Sequence, residues 1–382
     1  MLALCYQSVA ATDKVTRENT LQNNIIVSAQ GGVLRHGEIY TIRGIGFGVK
    51  IEAKPYIYAD FDQQLTPLNK GLRTNWVNNG SLSSVISAAN SNQALRFNHN
   101  ESFASVIGVK DIRNPRGELT EKLYMFNRKY YDYDIENDAG PNGFNLKMYR
   151  FWADFDNSSV GGTLHFSYQG NEGIDSARMT SSLETQFRGA HYSPVITHKS
   201  NTWLNHELIY QASQVAPAPD TVNKAEYLSF ADGIYDVYED GIKWKMVQDH
   251  FVTRDVRHPN VNKDLFFDQV SNGAGTNTWV YYDEIYIDTT WQRIIIGNAA
   301  NWDDVTETSI QIPMSWSENQ LVFEVNQGDM PNLNDPLWLY VFNEDNEPNS
   351  NGVLLTPETT LSGNEMCFPI KSINQETALV CL

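Results

Sequence analysis

The chain has 382 residues, a formal net charge of −18 at pH 7 and 12% aromatic residues. This length exceeds one ordinary hydrophobic core, so two or three domains are expected. The acidic balance argues against a nucleic-acid partner, because phosphate binding needs a basic surface. No stretch approaches the roughly 18 apolar residues of a membrane helix, so the sequence predicts no membrane span.

Abundant Gly, Asn, Ser, Thr and Asp, without long helical runs, indicate an all-β protein with many turns. Three cysteines are too few for a disulfide scaffold. Cys367 and Cys381 could form a bridge in an exported protein, or both could remain buried thiols. The apolar residues 2–5 follow no Lys or Arg, so we expect no recognisable signal peptide.

Residues 1–22 are polar and predict an N-terminal arm. Residues 23–55 contain two predicted strands and then Gly44, Gly46 and Gly48. A phosphate-binding loop would need a helix after these glycines, and none is predicted. The segment from Asn24 to Lys50 resembles the IPT/TIG immunoglobulin-like family, in which a strand, a short turn and a G-x-G-F-G bend follow in this order. The resemblance implies a spacer or contact module without catalysis.

Residues 56–297 contain about a dozen short alternating segments separated by turn residues, which predicts a sandwich of two sheets. The segment 279–288 is the centre of this prediction. Strict alternation places Trp279 and Tyr281 on one face with Ile285, and Tyr282 on the other face with Tyr286. We expect the second face to be wet or to face a ligand.

The central region, with Trp203, Glu207, the Asp240-Gly241 turn and the terminal tyrosine-rich strand, resembles concanavalin A-like and laminin-G-like jelly rolls. The resemblance implies two curved antiparallel sheets whose concave face or rim loops bind glycans, sometimes with Ca²⁺. Residues 298–382 predict a second immunoglobulin-like module and a tail. The predicted fold is therefore an antiparallel jelly-roll β-sandwich with small immunoglobulin-like modules at both ends.

Glycan binding needs flat aromatic rings for the apolar faces of sugars and polar groups for the hydroxyls. Side chains of both kinds occur on the predicted central strands. The candidate glycan contacts are Tyr149, Arg150, His165, Gln169, Trp203, His206, Tyr282 and Tyr286.

Catalysis is the alternative. A glycoside hydrolase needs two nearby carboxylates, but Glu284 and Asp288 lie roughly 13 Å apart along a strand. A polysaccharide lyase needs a proton-abstracting His or Tyr and a group that neutralises the uronate. Arg188, His191 and Tyr192 offer these residue types in one short stretch, without the ordered signatures that such lyases show.

An acidic segment supplies the candidate metal ligands. Asp132, Asp134, Glu136 and Asp138 alternate along it and could hold Ca²⁺, which prefers oxygen ligands. The segment lacks the glycine and the terminal Glu of an EF-hand loop. A solvated acidic loop is the simpler interpretation, and the sequence requires no cofactor.

The sequence thus favours a non-enzymatic structural or adhesion protein that displays a glycan-binding jelly roll. Its expected partners are a polysaccharide or cell-surface glycan and further copies of itself or a surface assembly. Proteins of similar architecture are frequent among virion components of tailed phages, so the resemblance implies a decoration or fibre at a virion or extracellular surface. A polysaccharide lyase or glycoside hydrolase is the second hypothesis.

Overall fold

Short runs rich in Val, Ile, Tyr and Phe form strands along the chain because β-branched and aromatic side chains suit a pleated surface. The computed structural model describes residues 25–61, 76–78, 84–86, 94–98, 107–134, 145–152, 163–169, 177–181, 199–214, 232–243, 253–254, 263–270, 278–328, 330, 335–355, 367–371 and 377–381. Within these ranges every strand pairing is antiparallel, and the helical structure is one 3₁₀ turn at Trp302–Asp304. No helix in the same ranges is long and apolar enough to cross a membrane.

The strands fall into three groups along the chain. The first group is β1 (Ile26–Gly32) and β2 (Ile39–Ile45). The second group is β3 (Ile57–Ala59), β4 (Trp76–Asn78), β5 (Ser84–Ile86), β6 (Ala94–Asn98), β7 (Ile107–Val109), β8 (Lys122–Tyr131), β9 (Asn145–Trp152), β10 (Thr163–Gln169), β11 (Ala177–Ser181), β12 (Trp203–Gln211), β13 (Ile234–Glu239), β14 (Ile242–Lys243), β15 (Asp264–Val270) and β16 (Trp279–Asp288). The third group is β17 (Arg293–Gly297), β18 (Thr308–Ile310), β19 (Ile312–Ser317), β20 (Gln320–Glu324), β21 (Leu337–Phe342), β22 (Val353–Leu355), β23 (Cys367–Lys371) and β24 (Thr377–Cys381).

The second group forms a sandwich of two sheets. The larger sheet has the order β14-β13-β12-β8-β16-β6-β5, with β3 also paired to β16, and the smaller has the order β11-β10-β9-β15-β7-β4. Apolar side chains from both sheets pack between them, including Leu208, Tyr210 and Ile285 from the larger sheet and Phe151 and Phe267 from the smaller. This arrangement confirms the predicted all-β jelly-roll sandwich.

The first group and strands β17 to β22 of the third group together form a second sandwich. Its sheets have the orders β1-β2-β20-β19 and β18-β17-β21-β22. Tyr40 and Ile42 of β2 share one core with Ile294, Phe323 and Leu339. The expectation of separate immunoglobulin-like modules at the two ends is therefore corrected: the flanking segments complete one another, and the jelly roll is inserted between them.

The boundary between the two sandwiches also differs from the expected one. The sequence predicts that the jelly roll ends at residue 297, but β17 pairs with β18 and β21 of the second sandwich. The chain crosses between the sandwiches in the four residues between Asp288 and Arg293. The non-local pairing of β17 with β21 sets this boundary.

A β-bulge interrupts the alternation of β16. In the pairing with β8, Tyr282 lies opposite Lys129 and Glu284 lies opposite Arg128, so Asp283 is the extra residue. Tyr282 faces the core between the sheets before the bulge, and Ile285 and Ile287 face it after the bulge. Strict alternation was therefore the wrong expectation, because an extra residue reverses which positions face inward.

The last two strands form a hairpin in which Cys367 is paired directly with Cys381. Directly paired residues of an antiparallel ladder lie within the separation that a disulfide needs. A bridge between these cysteines stays a prediction.

Candidate functional site

The outer face of the larger sheet is divided into a covered half and an open half. On the covered half, Tyr124, Phe126 and Tyr286 pack against Ile310 and Ile312 of the second sandwich. The open half carries side chains that are only partly buried. These are Arg96, Tyr130, Trp203, Asn205, Trp279, Tyr281 and Asp283.

Buried polar contacts fix the second sandwich on the covered half. Lys50 forms an ion pair with Asp288, and both side chains are almost fully buried. Asn326 donates a hydrogen bond to Glu284. Because loss of either partner would leave a buried charge without compensation, these contacts fix the position of the second sandwich beside the open half.

Three aromatic rings form a row across adjacent strands of the open half. Trp203 of β12 is paired with Tyr130 of β8, and Tyr130 is paired with Tyr281 of β16. The ring centroids are 5.6 Å apart for Trp203 and Tyr130, and 5.7 Å apart for Tyr130 and Tyr281. Arg96 of β6 follows Tyr281 in the same register. We call these four residues the aromatic row.

Charged groups hold the aromatic row in place. Arg128 donates to Asp283, and its guanidinium lies 4.8 Å from the ring centroid of Trp203. The Arg96 guanidinium stacks 4.0 Å from the ring centroid of Trp279. Cation–π contacts of this kind restrict both partners, so the rings of Trp203 and Trp279 are ordered before any ligand binds.

Asp132 directly follows β8 and contacts two residues of β16 beside the aromatic row. It accepts hydrogen bonds from the Trp279 backbone N–H at 2.7 Å and from the Tyr281 hydroxyl at 3.3 Å. Burial raises the pKa of Asp132, although these hydrogen bonds oppose the shift. Burial also raises the pKa of Tyr281, and the charge of Asp132 adds to this effect. The Tyr281 hydroxyl therefore stays protonated as a donor.

The bulge in β16 decides which aromatic side chains reach this surface. Tyr281 faces outward before the bulge, whereas Tyr286 lies on the covered half after it. If the same ten residues alternated strictly, Tyr282 and Ile285 could not both face the core. The bulge therefore lets Ile285 and Ile287 pack in the core while Tyr281 stays in the aromatic row on the outer face.

The structure separates the predicted glycan contacts into three sets. Trp203 belongs to the aromatic row. Tyr149, His206 and Tyr282 are completely buried between the sheets, and Tyr286 is buried beneath the second sandwich, so these four side chains present no surface to a glycan. The expectation of a wet face at Tyr282 and Tyr286 is wrong, because one points into the core and the other is covered.

The remaining predicted residues lie on the smaller sheet or outside the described residues. Arg150 is partly buried on β9, and it is paired with His165 of β10, while Gln169 ends β10. The lyase candidates Arg188, His191 and Tyr192 lie outside the described residues, as does Asp138.

Two basic residues with lowered pKa values lie on β9 of the smaller sheet. Burial lowers the pKa of Lys147 to about 7, and the charge of Arg150 contributes to the shift. Burial alone lowers the pKa of Arg150 to about 10. The Arg150 guanidinium lies 3.9 Å from the ring centroid of Trp152. Shifted lysines of this kind occur at reactive sites and also in structural networks.

In the described parts of the chain, no group of three or more His, Cys, Asp or Glu residues could hold a metal ion. Asp132 instead accepts hydrogen bonds from Trp279 and Tyr281, as described above. The predicted calcium loop therefore gains no support from Asp132, and its other members stay a prediction.

Sequence reasoning missed Tyr130, Tyr281, Arg128 and Arg96. A signal for two of them was present in β8, where Tyr124, Phe126, Arg128 and Tyr130 alternate on one face. This face is rich in aromatic and basic groups, unlike an ordinary solvent-facing strand. Tyr281 gave no such signal, because the bulge that turns it outward has no sequence marker.

No protein-family model matches the chain, and no curated protein matches its sequence significantly. Among solved structures, the chain is similar to a PL-14 alginate lyase from Aplysia kurodai, with 12% identity over 63% of this chain and 99% of that one and a TM-score of 0.40. It is also similar to an endo-β-1,4-glucuronan lyase from the fungus Trichoderma reesei, with 12% identity over 62% and 96% of the chains and a TM-score of 0.37. Peanut lectin gives 10% identity over 60% and 95% of the chains and a TM-score of 0.34. Similarity this low supports no functional assignment.

Proposed function

We propose that this chain is a non-enzymatic glycan-binding protein whose binding surface is the open half of the larger sheet. The aromatic row carries the proposal. Trp203, Tyr130 and Tyr281 lie side by side on three adjacent strands and remain partly exposed. Three rings at this spacing offer successive apolar contacts to the units of an extended glycan.

Polar groups beside the rings suit the hydroxyls of a sugar. Arg96, Asn205 and Asp283 share the open half and are partly exposed. Arginine supplies several donors in a fixed plane, and the carboxylate supplies acceptors. The surface therefore combines the two kinds of contact that glycan recognition needs.

The binding test compares variants that lose an aromatic ring with a variant that keeps the ring. We expect Tyr281→Ala and Trp203→Ala each to weaken binding roughly two- to thirteenfold, because each buried aromatic contact contributes about 0.5–1.5 kcal/mol. Tyr281→Phe keeps the ring but loses the hydroxyl that contacts Asp132, so it should retain most of the affinity. Isothermal titration against a panel of polysaccharides measures these constants.

Circular dichroism should show the same fold in all three variants. If the alanine variants bind the selected polysaccharide as tightly as the unmodified protein, the aromatic row is not the binding surface.

A polysaccharide lyase is the second candidate, and Lys147 is the observation that favours it. An amine whose pKa is about 7 can accept a proton at neutral pH, and Arg150 could neutralise a uronate. Incubation with anionic polysaccharides, while following the absorbance of unsaturated products, separates the candidates. Product formation that is lost in Lys147→Met would favour the lyase over the non-enzymatic protein.

We also propose that the chain acts at a surface. A glycan-binding jelly roll held firmly by a second sandwich suits a decoration or fibre at a virion or extracellular surface. Ile26 and Ile45 are paired, and their exposed fractions are 58% and 55%. This exposed apolar pair supports self-association, which analytical ultracentrifugation of the purified chain would test.

A further inference from the structure

A lysine and an aspartate from opposite sheets meet inside the jelly roll. Lys129 lies on β8 of the larger sheet, and Asp268 lies on β15 of the smaller sheet. The Lys129 Nζ is 3.7 Å from Asp268 Oδ1, and the side chains are 0% and 1% exposed. Neither glycan binding nor the packing of the apolar core requires this pair.

Tyrosines surround the pair. The Lys129 Nζ lies 4.7 Å from the ring centroid of Tyr149 and 5.4 Å from that of Tyr131. The Tyr131 hydroxyl donates to Asp268 Oδ1 at 3.1 Å, and the Tyr282 hydroxyl donates to Oδ2. Both carboxylate oxygens therefore accept a hydrogen bond from a phenol, and the lysine and aspartate side chains are held together away from solvent.

The environment also favours an uncharged amine. Burial lowers the pKa of Lys129, although the charges of Asp268 and Glu239 oppose the shift. A neutral lysine amine is a nucleophile, and desolvation activates it. A buried ion pair by itself adds little stability, so this arrangement has no clear advantage as an ion pair alone.

We propose that Lys129 and Asp268 form an intramolecular isopeptide bond that joins the two sheets of the jelly roll covalently. Within the ion pair, the ammonium first transfers one proton to the carboxylate. The amine nitrogen then attacks Asp268 Cγ, a C–N bond forms, and one C–O bond breaks. The second amine proton leaves with the hydroxyl group, so the products are one amide and one water molecule.

Neighbouring groups can assist each step. Hydrogen bonds from Tyr131 and Tyr282 polarise the carboxyl group and stabilise the negative charge that develops on its oxygens. Glu239 is also buried, and its charge raises the pKa of Lys129 against the effect of burial.

Intact-mass spectrometry of the purified, folded protein tests the bond directly. We expect the unmodified chain to be lighter than its sequence by the mass of one water molecule. After digestion, fragmentation should show a branched peptide that contains both Lys129 and Asp268. Because this measurement needs no variant, a folding failure of a variant cannot obscure it.

Two variants provide matched controls. Lys129→Arg keeps a positive charge but should show the full sequence mass. Asp268→Asn should give the same final mass as the unmodified protein, because ammonia replaces water as the leaving group. The full sequence mass in the unmodified protein after prolonged incubation would overturn the proposal. A lost water that maps to other residues, or one that persists in Lys129→Arg, would also overturn it.

Discussion

At the scale of single residues, the buried tyrosines dominate the interior of the jelly roll and its interface with the second sandwich. Tyr131, Tyr149 and Tyr282 surround Lys129, while Tyr124 and Tyr286 lie beneath the second sandwich. Burial raises the pKa of each of these five tyrosines well above the ordinary value, and neighbouring acidic groups add to the shift. Their phenols must therefore remain protonated while the protein is folded.

This shift predicts alkaline unfolding. The unfolded chain loses its tyrosine protons near pH 10, whereas the folded chain retains them, so the folded state binds more protons above that pH. The stabilising contribution is complete below about pH 10 and is lost as the pH rises towards the folded-state pKa values, by about 1.4 kcal/mol per pH unit for each tyrosine. Urea denaturation at a series of pH values measures the effect.

A free energy of unfolding that stays constant well above pH 10 would contradict this prediction. It would mean that the phenols ionise in the folded protein, and hence that they reach solvent.

At the scale of elements, β16 shows how one extra residue determines both core and surface. We expect Asp283→Ala to keep the bulge and the fold, because the backbone still contains the extra residue. Its free energy of unfolding should fall by about 1–3 kcal/mol, since Arg128 loses a mostly buried carboxylate partner. By contrast, Lys199→Ala, which removes an exposed pair with Asp240, should change stability by less than about 1 kcal/mol.

Deletion of Asp283 removes the bulge without moving any inward side chain. Tyr282 faces inward and Glu284 outward on either side of the extra residue, so strict alternation of the shortened strand still places Tyr282, Ile285 and Ile287 in the core. We therefore expect the deletion variant to retain near-ultraviolet circular dichroism and cooperative unfolding, with a loss of stability similar to that of Asp283→Ala. Loss of cooperative unfolding in the deletion variant would contradict the assignment of Asp283 as the extra residue.

Strand alternation predicted some faces correctly from the sequence alone. In β12, Leu204, His206, Leu208 and Tyr210 share the inner face, as the sequence predicts, and Trp203 lies outside. The prediction failed in β16 because a bulge has no compositional marker. It also failed to distinguish a polar inner residue such as His206 from a ligand contact, since alternation shows which residues share a face but not which face is buried.

At the scale of the whole molecule, the two ends of the chain complete one sandwich. Local patterns identified β2 and β20 as strands, but they could not show that Ile42 pairs with Leu321 across the inserted jelly roll. Pairing between segments so distant in sequence depends on complementary cores, which a local pattern does not record. This is why the sequence predicted two small modules where the structure has one.

Truncation tests this architecture. A chain that begins at residue 54 lacks β1 and β2, and it therefore lacks Tyr40, Ile42 and Phe47 from the second core. Because several buried side chains are lost together, we expect the remaining strands of the second sandwich to unfold. Near-ultraviolet circular dichroism and limited proteolysis measure this loss.

Gly44 on β2 and Gly31 on β1 provide a test variant and its matched control. A Cβ on Gly44 would lie 2.1 Å from the backbone oxygen of Ile26, whereas a Cβ on Gly31 would meet nothing within 4 Å. We expect Gly44→Ala to destabilise the second sandwich and Gly31→Ala to leave it intact. Equal stability of the two variants would contradict the close pairing of β1 and β2 at Gly44. An intact second core in the truncated chain would argue against the joint sandwich.

The central claim is that the open half of the larger sheet binds a glycan. The most direct measurement is a crystal structure of the protein with the oligosaccharide that binds most tightly in the panel. We predict that sugar rings lie against Trp203, Tyr130 and Tyr281, with hydroxyls near Arg96 and Asp283. Sugar bound on the smaller sheet beside Arg150, with the aromatic row empty, would contradict the claim.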